Sequence, residues 1–311
     1  MSKIDVIIPC YKARDTIAKT LHSIAMQSIA EEVKVYIIND CDGLYYDDIL
    51  YNFPELDIRY IKRDSNGGCG AARNTGIKNS TAEYITFIDA DDCFTNCLAL
   101  EIMLCRIKAT KADMLVSVFE GELRFENGIG VKKIEHSPTW MHGKLLRRQF
   151  LIDNNLLFNE SLRLNEDVEF NQILIDSGVK TTEISMPTLL WRDNPNSVTH
   201  ESLYKNKRVF IDAVSAYIKD CEGRNIDKKI FTHRVLQNLV VIYQYYNIVL
   251  DENADMADDY LSACKDYWKL CEPIVADVED EHITKVFASV MKGYSFIPDI
   301  TFVQFLNEIK E

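Results

Sequence analysis

The first half of the chain alternates short apolar runs with amphipathic stretches. Residues 4–9, IDVIIP, are followed by a stretch that begins near Asp15 and carries Ile17, Leu21 and Ile24 on one face, which indicates a strand and then a helix. Apolar strands separated by helices are typical of a parallel sheet that is covered on both faces. We therefore predict an α/β fold with a mostly parallel central sheet and helices on both faces. Further strands are predicted at residues 33–38, 58–61, 84–88 and 114–119, and further helices at about 70–79 and 98–110.

The pattern changes after the fifth predicted strand. Residues 123–134 have the pattern of a β-hairpin, and helices are predicted near residues 144–152 and 167–177. In the first of these helices, Lys144, Arg147 and Arg148 would form a solvated basic face. Beyond Glu201 nearly every segment has a helical pattern, so we place a domain boundary near residue 200. The predicted domains are an α/β domain over residues 1–200 and an all-helical region over residues 201–311.

Composition and charge narrow the class of protein. Hydrophobic residues make up 47% of the 311 residues and charged residues 27%, a globular balance, and the net charge of -13 disfavours non-specific binding to nucleic acid or anionic membranes. The nine cysteines include no C-x-x-C pair, which indicates reduced thiols rather than a zinc site. The N-terminal apolar run is too short for a signal peptide. The most apolar helix, residues 234–250, is shorter than the roughly 20 residues a membrane span needs. We therefore expect a cytoplasmic protein without a transmembrane segment.

A cluster of acids marks the candidate chemistry. The segment YITFIDADDCF, residues 84–94, ends an apolar strand with Asp89, Asp91 and Asp92. Like charges at this spacing raise each other's pKa unless a cation or hydrogen-bond donors offset the repulsion. The ends of other predicted strands also carry polar side chains, and ligands bind where the carboxyl ends of parallel strands meet. These other positions are Pro9 to Tyr11, Asn39 and Asp40, and residues 64–68.

Four interpretations of this cluster are open from the residues alone. The acids could cap the next helix. The segment GGCGAAR, residues 67–73, contains the G-x-G-x-x-A pattern of nicotinamide dehydrogenases, although it follows the third predicted strand rather than the first. A D-x-D sequence after an apolar strand also occurs in phosphatases with an aspartate nucleophile. The fourth interpretation uses all the strand ends together, because D-x-D can hold Mg²⁺ or Mn²⁺ against the diphosphate of a nucleotide sugar.

Seven segments of the chain resemble those of the family 2 inverting glycosyltransferases with the GT-A fold. They are DVIIPCYKARDTIAKTLHSIAMQ, VYIINDCDG, NGGCGAARNTGI, AEYITFIDADDCF, TWMHGKLLRRQFL, LRLNEDVEFN and WRDNPNSVTH, and they cover about residues 4–200. The resemblance implies a Rossmann-like GT-A domain over residues 1–200 that binds a nucleotide sugar. It also implies metal-dependent transfer of the sugar to an acceptor hydroxyl with inversion. Residues 201–311 match no family segment and are expected to bind acceptor, to pack or to form a homo-oligomer.

The resemblance also implies roles for individual residues. Asp167 would be the general base, with Glu166 beside it, while Asp91 of the D-x-D motif and His200 would bind Mn²⁺ or Mg²⁺. The family usually has two aspartates where this chain has Asn39 before Asp40, which leaves the preferred nucleobase open. The residues expected to bind the nucleotide sugar are Pro9, Tyr11, Asp40, Gly68, Arg73, Asn74, Asp89, Ala90, Arg192 and Ser197.

The expected donor is a UDP-sugar, and the expected acceptor is a glycan or lipid-linked hydroxyl in the synthesis of surface polysaccharide, lipopolysaccharide or cell wall. The protein would then work in the cytoplasm or at the inner face of the membrane. A phage-type enzyme that glycosylates modified DNA bases is an alternative, which the net charge of -13 disfavours. An NAD-dependent oxidoreductase is a further alternative. Trp140 and Trp191 are expected either to line the sugar or acceptor pocket or to lie in the core.

Overall fold

The chain folds into two compact units. The computed structural model describes residues 2–125, 128–134, 139–194, 203–252, 254–292 and 300–310. The first unit comprises Met1–Ser197 and the second Val198–Glu311. Within the described residues, all strands belong to the first unit, and the second unit is built from helices.

A nine-stranded sheet forms the centre of the first unit. Its strands are β1 (Ile4–Cys10), β2 (Val33–Asn39), β3 (Asp57–Lys62), β4 (Tyr84–Phe87), β5 (Cys93–Phe94), β6 (Met114–Phe125), β7 (Gly128–Ile134), β8 (Lys144–Arg147) and β9 (Thr181–Trp191). The strand order is β3-β2-β1-β4-β8-β6-β9-β5, and β7 pairs with β6 outside this path. Strands β3, β2, β1 and β4 are mutually parallel, as are β6 and β9, whereas β8 runs antiparallel to both of its neighbours.

Helices cover both faces of this sheet. They are α1 (Ile17–Ala25), α2 (Asp47–Leu50), α3 (Gly68–Asn79), α4 (Ala99–Thr110), α5 (Arg148–Asp153) and α6 (Glu166–Asp176). On one face, the alternate side chains Ile4, Val6 and Ile8 of β1 share a buried core with α1 and α4. On the other face, α3 lies so close to β1 that a Cβ added to Gly76 would be 2.4 Å from Cγ2 of Ile7. The predicted α/β fold is therefore confirmed.

The predicted helix at residues 144–152 is wrong over its first four residues. Lys144–Arg147 forms β8, which lies inside the sheet between β4 and β6, and the helix α5 begins only at Arg148. The predicted basic face is also wrong, because Lys144 is buried and Arg147 pairs with Asp113. A central strand is covered on both faces, so its consecutive leucines do not show the two-residue period that marks an exposed strand.

Strand β9 was not predicted at all. It contains Pro187, and a proline inside an apolar run argues against a central strand. The structure accommodates the proline at an irregularity, where the register between β6 and β9 shifts on either side of Val118. The carboxyl end of β9 leads to Arg192 and so brings the last family segment to the edge of the sheet.

The second unit is an assembly of helices, as predicted. They are α7 (Leu203–Asp220), α8 (Lys228–Glu252), α9 (Ala257–Val275), α10 (Asp280–Met291) and α11 (Phe302–Lys310). The long helix α8 contacts the other four, and its Tyr243 packs against Phe302 and Phe305 with ring centroids 5.2 and 5.5 Å apart. Among the described residues, no helix combines the length and apolar character that crossing a bilayer requires.

Candidate active site

The carboxyl ends of β2, β1 and β4 lie side by side at one edge of the sheet. The N–H of Asp40, just beyond β2, donates to the carbonyl of Cys10 at the end of β1, at 2.9 Å. On the opposite side of β1, the N–H of Ile88 beyond β4 donates to the carbonyl of Ile7, at 3.2 Å. The loops that follow these three strands therefore meet, as parallel pairing requires.

Asp40 fastens the beginning of α3 to the end of β2. This carboxyl group is almost fully buried and pairs with Arg63, and it also accepts the N–H groups of Gly67 and Gly68 at 3.0 and 2.7 Å. The positive end of the helix dipole thus faces a carboxylate of the protein itself. A dinucleotide-binding loop would need these N–H groups for a pyrophosphate. The geometry therefore argues against the dehydrogenase interpretation.

The residues after β1 present an aromatic ring beside this loop. Pro9 is partly buried, whereas Tyr11 is 49% exposed. The Nζ of Lys12 lies 5.1 Å from the centroid of the Tyr11 ring. An exposed ring at the carboxyl edge of a sheet is a surface on which a nucleobase can stack.

Arg73 holds two of the acids. It lies on α3 with only 5% of its surface exposed, and it donates to Glu166 at 2.7 Å and to Asp89 at 2.9 Å. Burial alone would lower the pKa of Arg73, but Cys69 and the two carboxylates raise it, so the guanidinium stays charged. Arg73 therefore neutralises part of the acid cluster.

Asn74, the next residue on α3, binds the protein backbone. Its amide nitrogen donates to the carbonyl of Phe158 at 2.8 Å and to the carboxylate of Glu160 at 3.0 Å. Its amide oxygen accepts the N–H of Phe158 at 2.8 Å. Asn74 thereby fixes the segment that leads into α6. The contact of Asn74 with the nucleotide stays a prediction.

Glu166 and Asp167 begin α6 but have different surroundings. Glu166 is 7% exposed and bound to Arg73, whereas Asp167 is partly exposed, and no described side chain forms a hydrogen bond to its carboxylate. Burial raises the pKa of Glu166 to about 6, and Arg73 opposes this. Burial also raises the pKa of Asp167, against the opposing charges of Arg73, His142 and Lys144.

Asp92, which is buried, and His142, which is partly buried, form a pair with unused hydrogen-bonding atoms. Asp92 is 0% exposed, and its Oδ2 lies 3.4 Å from Nε2 of His142. Within the described part of the chain, Oδ2 of Asp92 and both ring nitrogens of His142 have no hydrogen-bond partner. Burial raises the pKa of Asp92 to about 6, although His142 opposes it. Burial alone would lower the pKa of His142, but the Asp92 carboxylate raises it.

Asp89 completes a group that fits a divalent cation. One ligand atom from each of Asp89, Asp92 and His142 lies within 4.8 Å of the other two. Two carboxylates and one imidazole suit Mn²⁺, which accepts both oxygen and nitrogen ligands. A cation here would also engage the buried atoms that lack partners.

This group differs from the predicted metal ligands. Oδ2 of Asp91 accepts a hydrogen bond from the amide of Asn194 at 2.6 Å, and burial, followed by the charge of Asp89, raises its pKa. The metal-binding role of Asp91 stays a prediction. His200 and Ser197 lie outside the described residues.

Ala90 and Arg192 frame the acid loop. Ala90 is buried within the first unit's core. The N–H of Arg192 donates to Oδ1 of Asp92 at 2.9 Å, and its Nε lies 3.9 Å from a carboxylate oxygen of Glu122. The backbone after β9 is thereby tied to the acid loop after β4. The contact of either residue with a nucleotide sugar stays a prediction.

Comparison with known proteins settles the family. The family model described as Glycosyl transferase family 2 matches residues 5–161, which include the acid cluster, Arg73 and His142. The chain belongs to glycosyl transferase family 2.

Curated proteins and solved structures also resemble this family 2 chain. EpsJ of Bacillus subtilis (strain 168), described as an uncharacterized glycosyltransferase, is 25% identical over 216 residues, which are 63% of this chain and 62% of EpsJ. The poly(ribitol-phosphate) beta-N-acetylglucosaminyltransferase TarS of Staphylococcus aureus (strain Mu50 / ATCC 700699) is 28% identical over 187 residues, 55% of this chain and 32% of TarS. The chain thus spans less than two thirds of either relative.

The structural likeness extends over nearly the whole chain. The crystal structure of S. aureus TarS 1-349 in complex with UDP-GlcNAc matches with a TM-score of 0.66 at 17% identity, covering 96% of this chain and 95% of that one. At this identity the likeness shows a shared fold. The expected GT-A fold is confirmed.

Sequence reasoning missed two residues at this family 2 site. His142 lies in the family segment TWMHGKLLRRQFL, but nothing in its spacing connects it with Asp92. Lys144 is wholly buried and donates to the carbonyl of Trp140, and burial lowers its pKa to about 7. The only local sign that Lys144 is buried is its position next to two leucines. This sign is weak, because lysines are rarely buried.

Aromatic rings surround His142. Its ring stacks on Phe119 with centroids 5.1 Å apart, and the rings of Trp140 and Trp191 lie at 6.2 and 6.4 Å. Trp140 remains 40% exposed, so it also faces solvent. The two tryptophans thus flank the proposed cation ligand, and their contact with a sugar or acceptor stays a prediction.

Proposed function

We propose that this protein transfers a sugar from a UDP-sugar to an acceptor hydroxyl, with inversion at the anomeric carbon and with a bound divalent cation. One observation carries the proposal. A group that fits a cation, Asp89, Asp92 and His142, is joined through Arg73 to Glu166. The next residue is Asp167, a partly exposed carboxylate that receives no hydrogen bond from a described side chain. The charges of Asp89 and Asp167 help to raise the pKa of His142, and the charge of His142 opposes the raised pKa of Asp167, which supports a single site.

The nucleotide would bind across the ends of β1, β2 and β4. Tyr11 offers an exposed ring for the base, and Asp40 and Arg73 hold the surrounding loop and helix in place. Asp89, Asp92 and His142 would hold Mn²⁺ or Mg²⁺, which stabilises the charge that develops on a leaving diphosphate. A separate protein acid for the leaving group is then unnecessary.

Asp167 would take the proton of the acceptor hydroxyl. As the proton leaves, the hydroxyl oxygen forms a bond to the anomeric carbon while the bond from that carbon to the diphosphate oxygen breaks on the opposite face. The electron pair of the broken bond stays with the nucleoside diphosphate. Burial raises the pKa of Asp167, which makes it a stronger base than an ordinary aspartate. Glu166, bound to Arg73, has the supporting role.

The proposed setting is the synthesis of a surface or cell-wall polymer. TarS is named for N-acetylglucosamine transfer to poly(ribitol-phosphate), and its structural match contains UDP-GlcNAc. By analogy we assign a UDP-sugar donor and a polymer or lipid-linked hydroxyl acceptor to this chain, with the reaction in the cytoplasm. The first unit would be the catalytic domain, and the helical second unit would bind acceptor or a second copy.

The test is a binding panel on the full chain. UDP, GDP, CDP, TDP and NAD are titrated with and without Mn²⁺ by calorimetry and by thermal shift, on wild type, Asp92→Asn and His142→Gln. We expect UDP to bind in the presence of Mn²⁺ and each substitution to weaken that binding by tenfold or more, about 1.4 kcal/mol. The exposed Asp153→Asn on α5 is the matched control and should leave binding unchanged.

Two results would contradict the proposal. One is UDP binding that is indifferent to Mn²⁺ and to both substitutions, and the other is binding of NAD alone. If UDP binds as expected, UDP-sugars are screened for turnover, and NMR of the product anomer tests inversion.

A further inference from the structure

Asp42 forms a hub between the loops after β1 and β2. Its Oδ2 accepts the N–H of Lys12 at 2.8 Å and the hydroxyl of Tyr46 at 2.6 Å. Its Oδ1 accepts the N–H of Leu44 at 2.9 Å and the amide of Asn39 at 2.7 Å. Both carboxylate oxygens therefore have two donors each, and a carboxylate has about four acceptor positions. Burial raises the pKa of Asp42, but these donors outweigh it and lower the pKa, so the carboxylate is ionised.

The hub holds a strained stretch of backbone. Lys12 and Cys41 have positive φ angles of 53° and 60°, in the left-handed region that side chains other than glycine rarely adopt. Gly43 follows with φ 75°. Such conformations persist only where the surrounding contacts determine them. The bonds from Lys12 and Leu44 to Asp42 supply such contacts on both loops.

The buried Asn39 is matched to this acid. Asn39 is 0% exposed, and besides donating to Asp42 it accepts the N–H of Asp42 at 3.1 Å. An aspartate at position 39 would place a carboxylate oxygen opposite Oδ1 of Asp42, at the 2.7 Å that now joins a donor to an acceptor. Two like charges at that distance, one of them buried and the other partly buried, repel strongly. An asparagine at position 39 thus fits the acid at position 42 better than an aspartate would.

The residues that this pair holds are those assigned to the nucleoside. Lys12 directly follows Tyr11, and Asn39 directly precedes Asp40. We propose that Asn39 and Asp42 act as a matched pair of positioning residues that hold Tyr11 and Asp40 in place for the nucleoside of the donor. The assignment to the nucleoside rests on the proposed function, whereas the matched pair itself does not.

The experiment uses Asn39→Asp, Asp42→Asn and the exchanged double variant in the full chain. In the double variant an amide and a carboxylate face each other again, with their positions reversed. Two quantities are measured: the UDP affinity with Mn²⁺ by calorimetry, and the hydrogen-exchange rates of the Lys12 and Leu44 amides. Asp48→Asn, which removes an exposed carboxylate of the neighbouring helix α2, is the matched control.

We expect each single variant to weaken UDP binding about tenfold, because each leaves buried polar groups unmatched. We also expect faster exchange at Lys12 and Leu44 in each single variant. The double variant should recover most of the affinity and the protection of Lys12, whose acceptor remains an oxygen. Leu44 should still exchange fast in the double variant, because the amide nitrogen at position 42 takes the place of its acceptor Oδ1. A general loss of stability would not be repaired by adding a second substitution. Tyr46→Phe, which removes one of the four bonds to Asp42 and also the acceptor of the Ala13 N–H, should have an effect of the same kind.

Two results would overturn the inference. One is an Asp42→Asn variant with wild-type UDP affinity and wild-type exchange, and the other is a double variant as impaired as the sum of the single ones. Failure of the proposed function has a different signature, because wild type itself would then bind no UDP or would bind it regardless of Mn²⁺. In that case, exchange that is faster at Lys12 in the single variants and restored there in the double variant would still support the matched pair.

Discussion

Glu166 and Asp167 are chemically similar neighbours, yet their surroundings in the structure differ. Glu166 is committed to Arg73 at 2.7 Å, and an acid bound to a buried guanidinium is a poor proton acceptor. Asp167 is partly exposed and has no such partner among the described side chains. The resemblance named both residues, and their contacts favour Asp167 as the base.

Substitution of Asp167 by Asn should therefore abolish most turnover and spare donor binding. Loss of a general base typically lowers kcat by about 10²–10⁴. We expect that range for Asp167→Asn, with the Kd for UDP within about twofold of wild type. Glu166→Gln should weaken both, because it removes a charge partner of Arg73. Steady-state kinetics and calorimetry make the comparison, and a kcat for Asp167→Asn near that of wild type would exclude it as the base.

The buried Lys144 should make the free energy of unfolding depend on pH, and the sign of this dependence follows from its lowered pKa. Burial lowers its pKa from 10.5 to about 7, so the folded chain releases this proton near neutrality while the unfolded chain keeps it until about pH 10.5. Between these values the unfolded state binds more protons, and stability from this group rises with pH. Below pH 7 Lys144 is charged in both the folded and the unfolded state, so the full free-energy cost of burying its charge opposes folding.

The variant Lys144→Met removes this titration. Compared with the variant, wild type should gain stability from pH 7 to pH 10, by about 1.4 kcal/mol for each pH unit where only the unfolded form is protonated. Urea unfolding of both proteins at several pH values measures the difference. A difference that does not change with pH would contradict the assignment.

At the scale of elements, α3 must lie very close to β1 for the site to form. Arg73 faces the acid cluster from α3, and one turn later Gly76 contacts Ile7 of β1. A close approach of this kind requires a residue without a side chain. The sequence predicted the helix near residues 70–79, but only the packing shows why residue 76 is glycine.

Gly76→Ala should therefore destabilise the fold, although alanine favours helices. The added Cβ would lie 2.4 Å from Cγ2 of Ile7, and overpacking typically costs about 1–3 kcal/mol. Combining it with Ile7→Ala, which removes the opposing side-chain atoms, should cost less than the sum of the two single substitutions. Thermal and urea unfolding of the three variants test this coupling, and strictly additive losses would contradict the close contact.

At the scale of the whole molecule, the candidate site and its supporting core belong to one unit. The buried cluster that joins β1, α1 and α4 lies entirely within Met1–Ser197, and so does every described residue of the candidate site. A unit with its own core can in principle fold alone. We propose on this basis that the first unit is an autonomous domain.

A fragment of residues 1–200 should therefore unfold cooperatively and bind UDP in the presence of Mn²⁺. Thermal unfolding followed by circular dichroism, with and without UDP, tests both expectations. A broad transition without cooperativity would show that the first unit needs the second. The full chain, measured under the same conditions, is the reference for both the midpoint and the ligand shift.

The sequence by itself predicted those helices and strands that depend on the pattern of neighbouring residues. Apolar runs predicted the parallel strands, helical periodicity predicted the second unit, and the acids after β4 predicted a polar edge, because burial patterns and strand ends are properties of neighbouring residues. Strands β8 and β9 could not be recognised, since a strand covered on both faces and a strand broken by proline both lack the usual period.

Only the tertiary structure decided which polar groups meet. Arg73 donates a hydrogen bond to Glu166 and not to the neighbouring Asp167. Asp92 lies beside His142, which comes from a distant part of the chain. Asp42 connects the loops that follow β1 and β2. These pairs are distant in sequence, and their strength depends on distance and burial, which arise only when the loops converge. The sequence therefore determined the kinds of side chain available at the edge of the sheet. The packing of the sheet determined which of these carboxylates pair with a cationic side chain of the protein, as Glu166 does with Arg73, and which do not.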